Sequence, residues 1–386
     1  MIYFDNNATT QIAPEVCEAM RPYLETSFGN PSSAYSAGRD ARSAVENARK
    51  AVAALLGADA GEIVFTSGGT ESDNWAIRGA LSSRPEKKHI VTTRVEHEAV
   101  RKLCEELEST GHEVTWLDVD KQGQLDLEQL RASLRSDTGI VSVMLANNET
   151  GILFPVKQIA EIVRERSDAL VHVDAVNAVG KIAIDLSDGV IDLLSLSAHK
   201  FHGPKGVGAL YVRNGVNLPS ASIGGGQESG RRAGTEAVHQ IVGLAAAADL
   251  VSDLSAMKTV RRLRDRLEQA IVSEVPVSSL NGTSDSDKRL PNTSPISFEN
   301  LNGEAILAAL DDAGICVSTG SACHAADHTV SPVLHAMDVP YSRAMGSIRF
   351  SLGRYNTEEE VDGVVAEVKK IVSGLQKLGS EWSLQN

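Results

Sequence analysis

Cysteine is scarce: four residues, Cys17, Cys104, Cys316 and Cys323, in a chain of 386. So few thiols in so long a chain do not make a disulfide framework, and a reducing, cytoplasmic compartment is the expectation. Positive charge is scarce as well. Lys and Arg number 37 against 51 Asp and Glu, a formal net charge of −14. That balance argues against nucleic acid or an anionic membrane as the main partner. The most apolar stretch, Ile241 to Asp249, is far shorter than the ~20 residues that span a bilayer. Met1-Ile2-Tyr3-Phe4-Asp5-Asn6-Asn7 holds neither a basic stretch nor an apolar segment, so no secretory signal is expected. Internal repeats are missing too.

What is present is ordinary globular composition, 42% hydrophobic and 23% charged, with 32 glycines and 12 prolines. The length suggests about two domains. Short apolar runs alternate with amphipathic stretches, the pattern of a largely parallel α/β sheet covered on both faces. The predicted strands are Ile63–Thr66, His89–Thr92, Glu113–Leu117, Ile140–Leu145, Leu170–Val173, Leu193–Ser197 and Gly208–Val212. Helices are predicted over Ala37–Leu56, Ser72–Leu81, Ala99–Thr110, Leu127–Ser133 and Val156–Arg166. Helical periodicity from His239 to about Ser273 suggests a spine joining two domains. After an exposed loop at Asn281–Lys288 come a strand (Ile296–Phe298), a helix (Gly303–Ala313) and a last strand (Ser347–Ser351). The expected division is a large domain over 15–255 and a small α+β domain over 256–386 that also takes in residues 1–14.

Three segments carry chemistry. In Thr66-Ser67-Gly68-Gly69-Thr70-Glu71-Ser72, a strand meets a Gly-Gly turn and a helix start. Such a turn exposes N–H groups to an anion, with the Thr70 hydroxyl beside them. An ordinary turn with Thr70 as N-cap is the competing reading. Asp174 ends the apolar Val171-His172-Val173 run, at the strand edge where open α/β sheets bind ligands. It could hold a protonated ring nitrogen, as the Asp beside a pyridoxal phosphate does, or cap the next helix. The strand Leu193–Ser197 delivers Ser197-Ala198-His199-Lys200. A lysine so placed is a Schiff-base candidate, although a lone Lys is usually a solvated charge.

Together with Tyr3–Thr10, Gly29–Ser33, Thr66–Asn74, Glu96-His97, Asn147–Gly151, Gly224–Glu228, Arg232–Thr235, Ser321–Cys323 and Ile348–Arg354, these segments resemble one family over essentially the whole chain. It is the cysteine desulfurase family (NifS/IscS type) of the class V aminotransferase group, with features of its selenocysteine lyase branch. The resemblance implies a fold-type I enzyme with a mainly parallel seven-stranded sheet, a small C-terminal domain carrying the cysteine loop, and pyridoxal 5'-phosphate as cofactor. It implies Lys200 as the cofactor lysine, Asp174 at the ring nitrogen and His97 stacked on the ring. Gly69, Thr70, Ser197 and His199 would lie around the phosphate, with Thr235 reaching in from the other subunit of a homodimer. Asn148 would sit by the ring oxygen and the substrate, Arg349 on the substrate carboxylate, and Cys323 at the sulfur or selenium. L-cysteine or L-selenocysteine is the implied substrate, and a sulfur- or selenium-acceptor protein the implied partner.

Some positions depart from the family pattern. Asn177 stands where Gln usually contacts the phenolic oxygen, and is one methylene shorter. His202 replaces a common Tyr, and Tyr35 a frequent His. Asn30–Arg39, Met144–Gly151, Glu98, Ala322-Cys323-His324 and Ser331–Leu334 resemble the lyase branch. The difference is chemical: a selenol is ionised at neutral pH, whereas a cysteine thiol needs an enzyme thiolate to take its sulfur. Cys323, His324, Asp327 and His328 also include metal-ligand types, but no second Cys pair at zinc-finger spacing accompanies them. No metal is expected. Cys17, Cys104 and Cys316 read as core residues and His172 as structural. Other class V transaminases or β-lyases, and an idle iron–sulfur assembly scaffold, are the alternatives.

Overall fold

The computed structural model describes residues 1–319 and 330–385. Its strands, in chain order, are β1 (Ile2–Tyr3), β2 (Ile63–Thr66), β3 (His89–Thr93), β4 (Glu113–Leu117), β5 (Thr138–Met144), β6 (Leu170–Asp174) and β7 (Leu193–Ser197). They continue with β8 (Gly208–Val212), β9 (Ser278–Leu280), β10 (Thr293–Phe298), β11 (Ile315–Cys316), β12 (Ser318–Thr319) and β13 (Ser347–Ser351). The helices are α1 (Pro14–Glu25), α2 (Ser36–Leu56), α3 (Gly69–Ser83), α4 (Glu98–Ser109), α5 (Leu127–Ser133) and α6 (Val156–Arg166). After them come α7 (Val238–Ser252), α8 (Ser255–Glu274), α9 (Gly303–Asp312), α10 (Pro332–Ala336), α11 (Tyr341–Ala344) and α12 (Glu358–Gln385).

A seven-stranded sheet runs in the order β2-β8-β7-β6-β5-β3-β4. Only β8 opposes the others, pairing antiparallel with β2 and β7. The central strands β5 and β7 are buried at every position because apolar clusters cover both faces of the sheet. At the sheet edge, β4 is only partly buried, and its sequence opens with a charge, Glu113. A four-stranded antiparallel sheet, β12-β13-β10-β9, packs with α8, α9 and α12 around Ile296, Phe298, Ile348 and Phe350. β1 pairs in parallel with β11 in a separate two-stranded sheet.

The continuous helical spine expected over His239–Ser273 is instead two helices, bent by 73°. The break falls at Asp253-Leu254, where Asp253 Oδ1 accepts the Ser255 N–H at 2.8 Å just as α8 begins. The two then serve different cores: Ile241, Leu244 and Val251 of α7 pack in the large-sheet cluster, whereas Val260, Leu263 and Leu267 of α8 pack in the small-sheet one. The periodicity was real, but the direction change is tertiary. Cys17 is exposed on α1 rather than in the core, while Cys104 is buried and Cys316 lies half-buried in β11. Among the described residues no single helix is long and apolar enough to cross a membrane.

Candidate active site

The carboxyl ends of β2, β3, β5, β6 and β7 lie along one edge of the large sheet, and the loops leaving them enclose a cavity of about 190 Å³. Gly69, Thr70 and Asp73 come from the start of α3, and His97 from the turn after β3. Met144, Ala146 and Asn148 follow from β5, Asp174, Val176 and Asn177 from β6, and Ser197, His199 and Lys200 from β7. Nine of the residues singled out from the sequence therefore meet in one place.

The register explains the convergence. Met144 pairs with Asp174, and Asp174 with Ser195, so adjacent strands end nearly level. Gly69 is buried where α3 crosses β6: a Cβ there would meet Val176 Cγ2 at 2.5 Å. No side chain caps α3, so its first N–H groups are left for a ligand. Thr70 is exposed at that end, and Ser197 is buried beneath it on β7.

Asp174 is buried and accepts the Val176 N–H on Oδ1 at 2.9 Å. Burial raises its pKa, and the charges of His97 and Lys200 pull it back. His97 is the N-cap of α4; its Nδ1 accepts from the Ala99 N–H at 3.2 Å, which puts the ring proton on Nε2. Desolvation lowers the His97 pKa against the pull of Asp174. His199 is pushed down to about 4 by burial and by Lys200, and meets Thr9 Oγ1 at 3.1 Å. Lys200 Nζ donates to the carbonyls of Asn7 (2.6 Å) and Ala8 (3.0 Å).

Arg349, on β13, does not line this cavity, but it donates through Nη1 to the Asn148 carbonyl at 2.9 Å. Its Nη2 meets Asp5 Oδ1 at 2.7 Å, and its Nε is buried with no partner among the described residues. A guanidinium held beside Asn148 suits a carboxylate. Thr235 is exposed on the segment before α7 and does not reach this cavity. Cys323 lies outside the described residues. Among those described, no three His, Cys, Asp or Glu side chains are grouped to hold a metal ion.

Several site residues carried no separate sequence signal. Asp73 and Glu96 are buried carboxyls close to Asp174. Asp73 is raised well above the ordinary carboxyl range by burial, and Glu96 is pushed up to about 8. His172, read from the sequence as structural, is pushed down to about 3 by burial and bridges Ser142 and Ser195 inside the sheet. Lys181 and Asp5 sit just behind the site. A lone lysine or aspartate in a turn looks like any surface charge until the fold buries it.

The family described as Aminotransferase class-V matches residues 2–364. The chain belongs to that family. Its members are pyridoxal phosphate enzymes. A cysteine desulfurase of Trichormus azollae is 53% identical over 380 residues, covering 98% of this chain and 94% of its own. The cysteine desulfurase NifS of Azotobacter vinelandii is 48% identical over 385 residues, 99% and 95% of the two chains. Among solved structures, a NifS-like protein superposes with a TM-score of 0.91 at 40% identity, over 97% of this chain and 100% of its own. This class V member thus has the α/β architecture, with a mainly parallel seven-stranded sheet, that its sequence implied.

Proposed function

We propose that the protein is a pyridoxal 5'-phosphate-dependent cysteine desulfurase, converting L-cysteine to L-alanine and passing the sulfur to Cys323 as a persulfide. The observation that carries this reading is the convergence of Lys200, Asp174 and His97 on one cavity, in a chain half identical to proteins named cysteine desulfurase. Those names favour sulfur over the selenium suggested by the lyase-like segments.

The residues present fit the cofactor. The uncapped start of α3, Thr70, Ser197 and His199 offer donors to a phosphate, and Gly69 lines the cavity beside them. Asp174 would hold a proton at the ring nitrogen, which its raised pKa does not prevent once a cation sits beside it. His97 would cover one ring face, and Asn148 and Asn177 would face the ring oxygen. Bound there, the cofactor supplies the electron sink that makes the substrate Cα–H acidic.

Lys200 is the amine that would hold the cofactor and the base for the Cα proton. Arg349 would bind the substrate carboxylate through its guanidinium, which Asp5 keeps in place. The Cys323 thiolate then attacks the substrate sulfur. An S–S bond forms as Cβ–S breaks, and the electron pair stays with Cβ, which takes up protons to give alanine. The reading also takes in a homodimer in which Thr235 serves the other subunit's phosphate site, an acceptor protein for the sulfur, and a reducing cytoplasm suited to the free thiols. Its domain division at residue 255 draws support from the separate cores of α7 and α8.

The test is alanine release from L-cysteine and L-selenocysteine, on wild type and Cys323→Ala. Comparable rates on both substrates, with the cysteine reaction abolished in the variant, are expected. A strong preference for selenocysteine, or cysteine turnover that survives the substitution, would overturn the assignment.

A further inference from the structure

Lys181 is a buried lysine with no carboxylate on it among the described residues. It is only 7% exposed, and its Nζ contacts three oxygens: Asn177 Oδ1 at 2.7 Å, Asn177 O at 2.9 Å and Asn7 Oδ1 at 3.2 Å. Three acceptors match the three N–H groups of an ammonium. Burial, with Lys200 and Arg349 nearby, pushes its pKa well below the ordinary lysine value. Such a group is costly to keep unless it has work to do or an anion to answer.

The geometry settles how the Asn177 amide lies. Its Oδ1 faces Lys181, and its Nδ2 faces the Asn147 carbonyl, an acceptor that would repel an oxygen there. The Asn147 contact is 3.5 Å, too long to satisfy Nδ2. Asn177 is buried and lines the cavity, so an under-used N–H donor is left to a ligand. Asn7, the other acceptor, is itself tied down: its Nδ2 donates to Asn148 O and Thr293 Oγ1, so its Oδ1 must face Lys181. The Asn7 carbonyl in turn accepts Lys200 Nζ.

We propose that Lys181 is a positioning residue that locks the Asn177 amide with its N–H edge toward the cavity, where it donates to the anionic ring oxygen of the bound cofactor. The inference rests on the cofactor assignment above. It explains how the shorter Asn can serve where Gln is usual: a fixed orientation stands in for the missing reach. Lys181 itself touches neither cofactor nor substrate.

The test is a pH titration of the visible band of the cofactor-loaded protein, on wild type, Lys181→Met, Asn177→Ala and the double variant. Losing a donor to the anionic oxygen raises the apparent pKa of that band, by about one pH unit for one hydrogen bond to a charged acceptor. Lys181→Met and Asn177→Ala should each show this rise, and the double variant should show no more than either. Lys181→Gln, whose amide can still donate to Asn177 Oδ1, should titrate closer to wild type. Cofactor affinity should fall about tenfold in Lys181→Met, in step with the band. A wild-type titration in Lys181→Met, or fully additive shifts, would overturn the inference. If Lys181→Met does not fold, the cycle is run with Lys181→Ala, which also removes the donor to Asn177 Oδ1, and any shift that persists undiminished in the Asn177→Ala background refutes it. Failure of the wild-type protein to develop a visible band with pyridoxal phosphate would instead refute the cofactor assignment itself.

Discussion

Glu96 illustrates how one residue's environment sets its chemistry. Its Oε1 accepts from the Thr93 hydroxyl at 2.7 Å and the Met144 N–H at 3.1 Å, while Oε2 is buried without a partner among the described residues. Burial pushes its pKa from 4.5 up to about 8. Between those two values the folded protein keeps a proton that the unfolded chain has released. Its contribution to stability therefore falls as pH rises through that window, and the loss is complete above about pH 8. Glu96→Gln keeps the acceptor for Thr93 and Met144 and cannot ionise. Its melting temperature should match wild type near pH 5, exceed it increasingly up to about pH 8, and hold that margin above. A difference that does not vary with pH would contradict this account. Glu96 was legible in the sequence only as the neighbour of His97; that it sits on a buried network with Asp174 is a matter of packing.

At the scale of elements, the segment that precedes Thr235 is held by one buried ion pair. Arg49, in α2, makes a bidentate contact with Glu228 at 2.7 and 2.9 Å, and Glu228 also takes the Phe65 N–H of β2 at 2.9 Å. Arg49 stacks over the Phe65 ring at 4.7 Å and donates to the Ile63 carbonyl. Glu228 and Ser229 hold positive φ values of 48° and 57°, a conformation that needs such anchoring. Arg49→Met strands the Glu228 carboxylate in a dry site. We expect a loss of roughly 3–5 kcal/mol in denaturant unfolding, with greater proteolytic sensitivity in the 220–236 segment. An effect below about 1 kcal/mol, the size of a surface pair, would mean that the pair is not desolvated. Gly224–Glu228 and Arg232–Thr235 were visible as motifs, but their tie to α2 was not, since 179 residues separate Arg49 from Glu228.

At the scale of the whole molecule, the site is assembled from three distant parts of the chain. The N-terminal Asp5 and Asn7, the loop ends of the large sheet, and Arg349 from β13 are joined by the Arg349–Asp5 pair and the Asn7–Thr293 and Asn7–Asn148 hydrogen bonds. Thr235, exposed and outside the cavity of its own chain, raises the question of the second subunit. If it serves the partner's site, Lys200→Ala and Thr235→Val chains, each impaired alone, should regain activity when refolded together. Each mixed dimer then holds one site with Lys200 from one chain and Thr235 from the other. Mixtures no more active than the parents would place Thr235 outside the chemistry.

The strands, most helices and the residues around the cavity were readable from the chain because they are written locally. Apolar runs of four to seven residues become buried parallel strands, and ligand-binding residues follow their carboxyl ends, so Asp174, Ser197, His199 and Lys200 carried their positions with them. What only the tertiary structure decided depends on partners far along the chain. The helical repeat over 239–273 holds no mark of which core each half will enter, and Asp253 with two separate apolar clusters turns it through 73°. Cys17 follows the buried Val16 in sequence yet faces solvent. The charge states of Glu96 and Lys181, and the Asp5 carboxylate that steadies Arg349, arise from desolvation and close approach. No window of sequence contains either, because both depend on what the folded chain excludes from water.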